Sequence, residues 1–146
     1  MDSDTQYILA SHVAQGRGAT EAQEALHIAK QNGESEPTFL ISDGLPSYQA
    51  AASREFKNTV HLSRVGIQGE VSNNRIERFH GTVRERNKVM RAIKKPNSPI
   101  IEGQRIYYNH IRPHQALNGK TPAEACGIPT KGNKWEAIIR RATKND

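Results

Sequence analysis

Two acidic residues and one basic residue stand where they could bind a metal ion and a phosphate. Asp43 ends a short apolar run, and Glu77 and Arg84 lie seven residues apart in a segment with helical spacing of its apolar residues. Seven residues are about two helical turns, so both side chains share one side of the helix. Carboxylates suit Mg²⁺ or Mn²⁺, and an arginine can hold a phosphate through two hydrogen bonds. These residue types predict metal-assisted chemistry on a phosphodiester.

A long helix over residues 74–95 is predicted to position Glu77. Its apolar residues recur at helical spacing and predict one buried stripe, made of Ile76, Phe79, Val83 and Met90. A second arc, about a quarter turn away, carries polar side chains at the edge between core and solvent: Asn73, Glu77, His80, Arg84 and Arg91. An edge of this kind is where a helix presents groups to a ligand. A solvated face with local ion pairs is the alternative.

Alternating strands and helices are predicted to position Asp43. Strands are expected at residues 5–12, 37–42 and 59–62, and helices at residues 21–33 and 46–56. The run at 37–42 is apolar and flanked by turn residues, which favours a strand buried on both faces. Further helices are expected at residues 100–111, from residue 121, and at residues 135–141, where the pattern is amphipathic.

Composition limits the class of protein. The 146 residues fit one domain, and 21 Lys and Arg against 15 Asp and Glu give a net charge of +6, which favours a polyanionic partner. The single cysteine excludes an internal disulfide and a cysteine-rich zinc site. No apolar run is long enough to span a bilayer, and no signal peptide opens the chain. The sequence predicts a soluble, cytoplasmic protein that does not enter a membrane.

Three segments, taken in order, resemble the DDE transposases of bacterial and archaeal insertion sequences. They are ISDGLPSY at residues 41–48, NNRIERFHGTVRERNKVMR at residues 73–91, and YYNHIRPHQALNGKTPAEACGI at residues 107–128. Residues 1–12 resemble the second strand of the same domain, so the resemblance covers residues 1–128. It implies an α/β, RNase H-like integrase-core fold at residues 1–128, with a helical C-terminal segment and tail at residues 129–146.

The resemblance also implies a function and a site. The family cuts DNA at the ends of its element and joins the freed ends to target DNA, with Mg²⁺ or Mn²⁺ as cofactor. Asp43 matches its second catalytic aspartate and Glu77 its catalytic glutamate, so both are expected metal ligands. The expected DNA contacts are Arg84, Arg78, Arg91, Arg112 and His80. A prokaryotic, nucleoid-associated protein that binds DNA and forms homo-oligomers would fit this function.

One part of the family pattern has no match. Its first catalytic aspartate lies on the first strand of the fold, which this sequence is expected to lack. Asp2 and Asp4 are separated from Asp43 by too few elements to occupy that place in the sheet. We therefore expect the chain to bind DNA weakly and not to cleave it by itself.

Two other interpretations stay open at this point. The chain could be a basic nucleic-acid-binding module without chemistry, with phosphates held by Arg75, Arg78, Arg84, Arg86, Lys88 and Arg91. Alternatively, Glu77 and His80 could form a zinc or di-metal site with His110 and His114. Against the second, the Glu-x-x-His pattern occurs once, and Pro113 interrupts a helical pairing of the last two histidines.

Overall fold

A computed structural model describes residues 1–63, 74–89, 98–128, 130 and 132–143. The fold is mixed α/β and mostly helical, and its described strands form one two-stranded parallel sheet. The chain divides into two compact units. One consists of Met1–Ile8 with Pro99–Asp146, and the other of Leu9–Ser98.

In the second unit, two short parallel strands are joined by a helix. Strand β1 spans Phe39–Ser42, helix α2 spans Pro46–Glu55, and strand β2 spans Val60–Ser63. Phe39 pairs with Val60 and Ser42 with Ser63, so both strands run in the same direction. A parallel pair needs a crossover, which α2 provides. The predicted order of strand, helix and strand is confirmed here, with small changes in bounds.

The prediction that the first of these strands is buried on both faces is wrong for the described chain. Phe39 is 58% exposed and its partner Val60 is 51% exposed. The two residues are paired, so they lie on the same face of the sheet. A short apolar run is typical of a strand that is buried on both faces. Burial, however, requires other elements to pack against each face, and the run itself does not show whether they do.

Helix α1, Ala19–Gln31, packs against α2 through small residues. Ala22, Ala51 and Ala52 are buried, which lets the two helices approach closely, and Phe56 closes the end of the contact. Lys30 stabilises this end of the contact. Its Nζ donates a hydrogen bond to the Glu55 backbone carbonyl at 2.7 Å and forms an ion pair with the Glu36 carboxylate at 3.1 Å. The same ammonium group lies over the Phe56 ring. The helix begins at Ala19 after Gly18, which differs from the expected start after Thr20.

Helix α3 spans Asn74–Val89 and carries the predicted apolar stripe. Phe79 is buried, Ile76 and Val83 are half-buried, and the charged residues between them are exposed. The helical prediction and its buried stripe are confirmed over these residues. Asn73, Met90 and the predicted end at residue 95 lie outside the described residues.

In the first unit, an asparagine side chain takes the place of a neighbouring strand. Residues 5–12 were expected to form a strand, and this prediction is wrong: they form no strand in the described structure. The side chain of Asn109, fully buried, accepts from the Ile8 backbone N–H at 2.9 Å and donates to the Ile8 carbonyl at 3.0 Å. A side-chain amide has the same donor and acceptor as a peptide group, so it satisfies this backbone without a second strand.

The helices of this unit contact the π-helical turn that carries this asparagine. Helix α4, Pro99–Ile106, continues as a π-helical turn at Tyr107–Ile111, where Tyr108 and Asn109 are buried. A short 3₁₀ turn at Gln115–Leu117 follows, then α5 at Pro122–Ala125 and α6 at Lys134–Ala142. A helix was expected from residue 121, and Thr121 and Glu124 form a capping box at the start of α5. The change from an α-helical to a π-helical turn at residue 107 was not predicted from the sequence.

His110 and His114 make this unit sensitive to mild acid. Burial lowers the pKa of both rings, with Arg141 and Arg105 adding to the effect at His110 and Arg112 at His114. Because the folded-state pKa lies below the ordinary value of 6.5, the folded unit binds fewer protons than the unfolded chain. The contribution of these two histidines to the free energy of unfolding is therefore fully present above pH 6.5 and is lost as the pH drops below it.

We expect the melting temperature to fall between pH 7.5 and about pH 5, before the carboxylates with lowered pKa lose their charge. The pKa values of those carboxylates lie below their ordinary values of 4.5 or less, so their contribution to stability is lost in a more acidic range; they are Asp2, Glu36, Glu102 and Glu124. The measurement is thermal denaturation followed by circular dichroism at half-unit pH steps. The His110→Gln, His114→Gln variant should lose less stability over this interval, and a variant with the unchanged slope would contradict the assignment.

Candidate catalytic and DNA-contact site

Asp43 lies directly after β1, at the carboxyl end of the strand. Its side chain is exposed, and its Oδ1 accepts from the Leu45 backbone N–H at 3.2 Å. Gly44 between them has a φ of +83°, a conformation that residues with a Cβ rarely adopt. The turn therefore holds the carboxylate at the strand end through one oxygen and leaves it open to solvent. Ligands of α/β proteins commonly bind at this position.

Two residues that sequence reasoning missed support the Asp43 turn. Ser42 Oγ lies 2.9 Å from His61 Nε2, and the Gly44 backbone N–H donates to the same hydroxyl at 3.4 Å. The contact joins the end of β1 to β2, so the residue before Asp43 is tied to the neighbouring strand. Only the strand register brings Ser42 and His61 together, since nineteen positions separate them in the chain.

The predicted polar edge of α3 is present for the residues that the structure describes. Glu77 lies in the first turn, and Glu77, His80 and Arg84 are all exposed. Partial desolvation lowers the pKa of His80, Arg84 lowers it further, and Glu77 opposes the shift. A carboxylate, an imidazole and a guanidinium thus act on one another along one edge of the helix. Such an edge offers both a metal ligand and a positive group for a phosphate.

The other predicted DNA contacts are distributed over both units. Arg78 is exposed on α3, away from the Glu77 edge. Arg112 lies in the first unit, just after the π-helical turn. Burial raises the pKa of Tyr108 and the Arg112 charge opposes that shift, whereas burial lowers the pKa of His114 and Arg112 adds to it. Arg91 lies outside the described residues.

No complete metal site forms in the described part of the chain. Within residues 1–63, 74–89, 98–128, 130 and 132–143, no three His, Cys, Asp or Glu side chains come together as a group that could hold a metal ion. Asp2 Oδ1 accepts from both the backbone N–H and the hydroxyl of Thr5.

The helices among the described residues are all too short or too polar to cross a bilayer. The longest of them, α3, carries charged residues along its whole length.

Comparison with known proteins identifies the family. No curated protein and no solved structure matches the chain. A family model described as a DDE domain, of the IS240 transposase type, matches residues 1–114. The match includes β1 with Asp43, the whole of α3 with Glu77, His80 and Arg84, and the turn that ends at Arg112. Over most of its length, the chain thus belongs to the DDE transposases of insertion sequences.

Proposed function

We propose that the chain provides part of the catalytic domain that cuts and joins DNA during transposition, with Asp43 and Glu77 as its metal-binding carboxylates. The observation that carries this proposal is the position of Asp43. It stands at the carboxyl end of a parallel strand, exposed, and oriented by a turn that occupies only one of its oxygens. Glu77, on the exposed edge of α3, supplies the second carboxylate.

The donor set fits a hard divalent cation. Both side chains offer carboxylate oxygens, which Mg²⁺ and Mn²⁺ prefer, and both are exposed to the solvent that would complete a coordination shell. When bound, such ions activate the attacking oxygen and offset charge on the leaving oxygen of a phosphodiester. The family depends on divalent metal, and in this chain Asp43 and Glu77 would hold it.

The basic residues of α3 and Arg112 would bind the DNA backbone. Arg84 follows Glu77 on the same helix edge, so a phosphate held by its guanidinium would lie near the carboxylate. His80, between them, is kept neutral by the lowered pKa and can donate one hydrogen bond to a phosphate oxygen. The resulting partners are the ends of an insertion element and a target DNA, in a protein associated with the nucleoid.

The integrase-core, RNase H-like fold is part of the proposal. The parallel β1–α2–β2 unit and the DDE domain match support it, because both agree with strands and helices that alternate along the chain. A domain over residues 1–128 followed by a C-terminal segment at 129–146 remains the proposed organisation. In this fold α3 would lie across the sheet and bring Glu77 towards Asp43.

We expect the purified 146-residue chain to bind Mn²⁺ weakly and to leave DNA uncut. Metal ligands that are few in number hold Mg²⁺ poorly, because the ion gives up its water reluctantly. Asp43 and Glu77 are two carboxylates, the family arrangement uses three, and no group of three forms among the described residues. Loss of one transition-state interaction of a few kcal/mol costs roughly a hundredfold or more in rate.

Mn²⁺ binding is measured by the loss of the free-ion electron paramagnetic resonance signal, and cleavage with an end-labelled duplex of the element terminus. The Asp43→Asn, Glu77→Gln variant should lose Mn²⁺ binding. A Glu34→Gln, Glu85→Gln variant, with two exposed carboxylates elsewhere removed, should retain it. Equal Mn²⁺ binding by all three proteins would reject the metal site. Cleavage of the duplex by the unaltered chain, but not by the Asp43→Asn, Glu77→Gln variant, would contradict the prediction that the chain does not cut DNA.

A basic nucleic-acid-binding module without chemistry is the second candidate, and one observation favours it. Arg75 and Arg78 are exposed on a part of α3 away from the Glu77 edge, so they can reach phosphates without serving that site. The two candidates separate in the Mn²⁺ experiment, since a module without chemistry has no reason to bind the ion through Asp43 and Glu77.

A further inference from the structure

The hydroxyl of Ser42 lies between the Asp43 turn and the neighbouring strand. It accepts a hydrogen bond from the Gly44 backbone N–H at 3.4 Å and lies 2.9 Å from Nε2 of His61. Leu40 pairs with His61 in the sheet, and Ser42 is two positions after Leu40, so the Ser42 and His61 side chains share one face. The strand register thus brings a half-buried imidazole to the hydroxyl that ends β1.

The turn that carries Asp43 has little stiffness of its own. Gly44 has a φ of +83°, and glycine adopts many backbone conformations at similar energy. Two hydrogen bonds limit this freedom. In the first, the Leu45 backbone N–H donates to Asp43 Oδ1 at 3.2 Å, so the acceptor moves with the turn itself. The second, from the Gly44 N–H to Ser42 Oγ, ties the turn to a side chain of the sheet.

His61 fixes the acceptor of that second hydrogen bond. A serine side chain has three staggered χ1 rotamers, and the contact with His61 Nε2 favours the one in which the hydroxyl also meets the Gly44 N–H. A hydroxyl has one proton to donate and two lone pairs, so it can bond Gly44 together with either tautomer of His61. The imidazole therefore holds the hydroxyl, and the hydroxyl holds the turn.

We propose that His61 is a positioning residue of the metal site: acting through Ser42, it keeps Asp43 in the orientation that binds a divalent ion. This inference rests on the proposed role of Asp43 as a metal ligand. A turn that is already fixed leaves Oδ2 for the ion, whereas a loose turn would have to be ordered at the moment of binding. Loss of a group that orients a metal ligand typically costs about ten- to a hundredfold in metal affinity.

A serine and a histidine 2.9 Å apart can also act as a nucleophile and its base, but the surroundings of this pair favour positioning. A nucleophilic pair needs a third group that orients the base, and among the described residues His61 has no carboxylate partner. The Ser42 hydroxyl is half-buried and already accepts from Gly44. Both features suit a hydroxyl that is held in place rather than one that attacks a substrate.

Substitutions that keep or remove one nitrogen at position 61 test the proposal. The side-chain amide nitrogen of glutamine stands as many bonds from Cα as Nε2 of histidine, whereas that of asparagine reaches only as far as Nδ1. We therefore expect His61→Gln to retain the Mn²⁺ affinity, and His61→Asn and His61→Ala to lower it by about tenfold. Ser42→Thr, which keeps the hydroxyl, should bind Mn²⁺ as the unaltered chain does, and Ser42→Ala should bind it as His61→Ala does.

Two measurements follow Mn²⁺ at this site. The free-ion electron paramagnetic resonance signal gives the affinity, and paramagnetic broadening of the Gly44 and Leu45 amide signals in nuclear magnetic resonance spectra reports on ions bound beside Asp43. Combining His61→Ala with Ser42→Ala should cost no more affinity than either change alone, because the two side chains act as one unit. His27→Ala is the matched control: it removes a histidine that contacts Glu55 elsewhere in the same unit, and it should leave both measurements unchanged.

The outcomes separate this inference from the function on which it rests. Equal Mn²⁺ binding by the unaltered chain and the Asp43→Asn, Glu77→Gln variant would reject the metal site, and the positioning role with it. If that variant loses Mn²⁺ while His61→Ala retains it, or if His61→Gln and His61→Asn bind Mn²⁺ equally, the positioning role alone is overturned.

Labelling of Ser42 by a fluorophosphonate probe, lost in His61→Ala, would assign the pair to nucleophilic chemistry and also overturn the proposal. Circular dichroism shows whether each variant is folded. If His61→Ala is not, the comparison of the glutamine variant with the asparagine variant decides the result.

Discussion

Replacing Asn109 with alanine is expected to lower the free energy of unfolding of the unit built on Met1–Ile8 and Pro99–Asp146 by about 2–4 kcal/mol. The Asn109 side chain is fully buried and satisfies both the N–H and the carbonyl of Ile8. Alanine leaves these two buried groups without the amide, and each unsatisfied group costs about 1–3 kcal/mol. Arg105 Nη1 reaches the Ile8 carbonyl at 3.4 Å, so part of the loss is recovered there.

The measurement is urea denaturation followed by Trp135 fluorescence. Asn118→Gly is the matched control in the same unit. Asn118 is exposed and has a φ of +54°, which glycine adopts without strain, so its replacement should change the free energy of unfolding by less than about 0.5 kcal/mol. Equal effects of the two substitutions would show that the asparagine bridge to Ile8 contributes little.

DNA affinity is expected to fall by about a hundredfold between 50 and 200 mM salt, because counterions are released from each phosphate that the protein neutralises. Three or four phosphate contacts give this dependence, and exposed Arg75, Arg78 and Arg84 on α3 together with Arg112 supply that number. The affinity should be similar for unrelated duplex sequences, since phosphate contacts carry no base information.

Arg84→Ala should weaken binding and reduce the slope of log affinity against log salt by about one, as one phosphate contact is lost. Arg54→Ala is the matched control, because Arg54 is an exposed arginine in the last turn of α2 and belongs to no proposed contact. Fluorescence anisotropy of a labelled duplex over a series of salt concentrations measures both slopes. A slope that Arg84→Ala leaves unchanged would remove Arg84 from the DNA surface.

Local patterns were sufficient for most helices and for the polar edge of α3. Apolar residues at positions 76, 79 and 83 recur at helical spacing, and the structure buries Phe79 and half-buries the other two while exposing Glu77, His80 and Arg84. The start of α5 after Thr121 and the amphipathic α6 were predicted for the same reason. In each case the information lies within a few consecutive residues, because helices are stabilised by neighbours three and four positions apart.

Strands were predicted less well, because a strand exists only with a partner. Residues 5–12 contain suitable β-forming residues, yet Ile8 pairs with the buried amide of Asn109, 101 positions away. Residues 37–42 have the composition of a covered strand, yet Phe39 stands largely exposed. The residue types of a segment show whether it can form a strand. Whether it pairs with another strand, and whether its faces are buried, is decided by segments that are distant in the sequence.

The amino-acid sequence by itself determined which family the chain resembles, the types of its site residues and the side of α3 on which Glu77, His80 and Arg84 lie. These follow from residue identity and from the fixed geometry of a helix. Only the tertiary structure decided that Ser42 and His61 support the Asp43 turn, that Asn109 holds Ile8, and that Trp135 and Ile139 are left uncovered. Each of these depends on contacts between segments that chain folding brings together, and such contacts leave no periodic signal in the sequence.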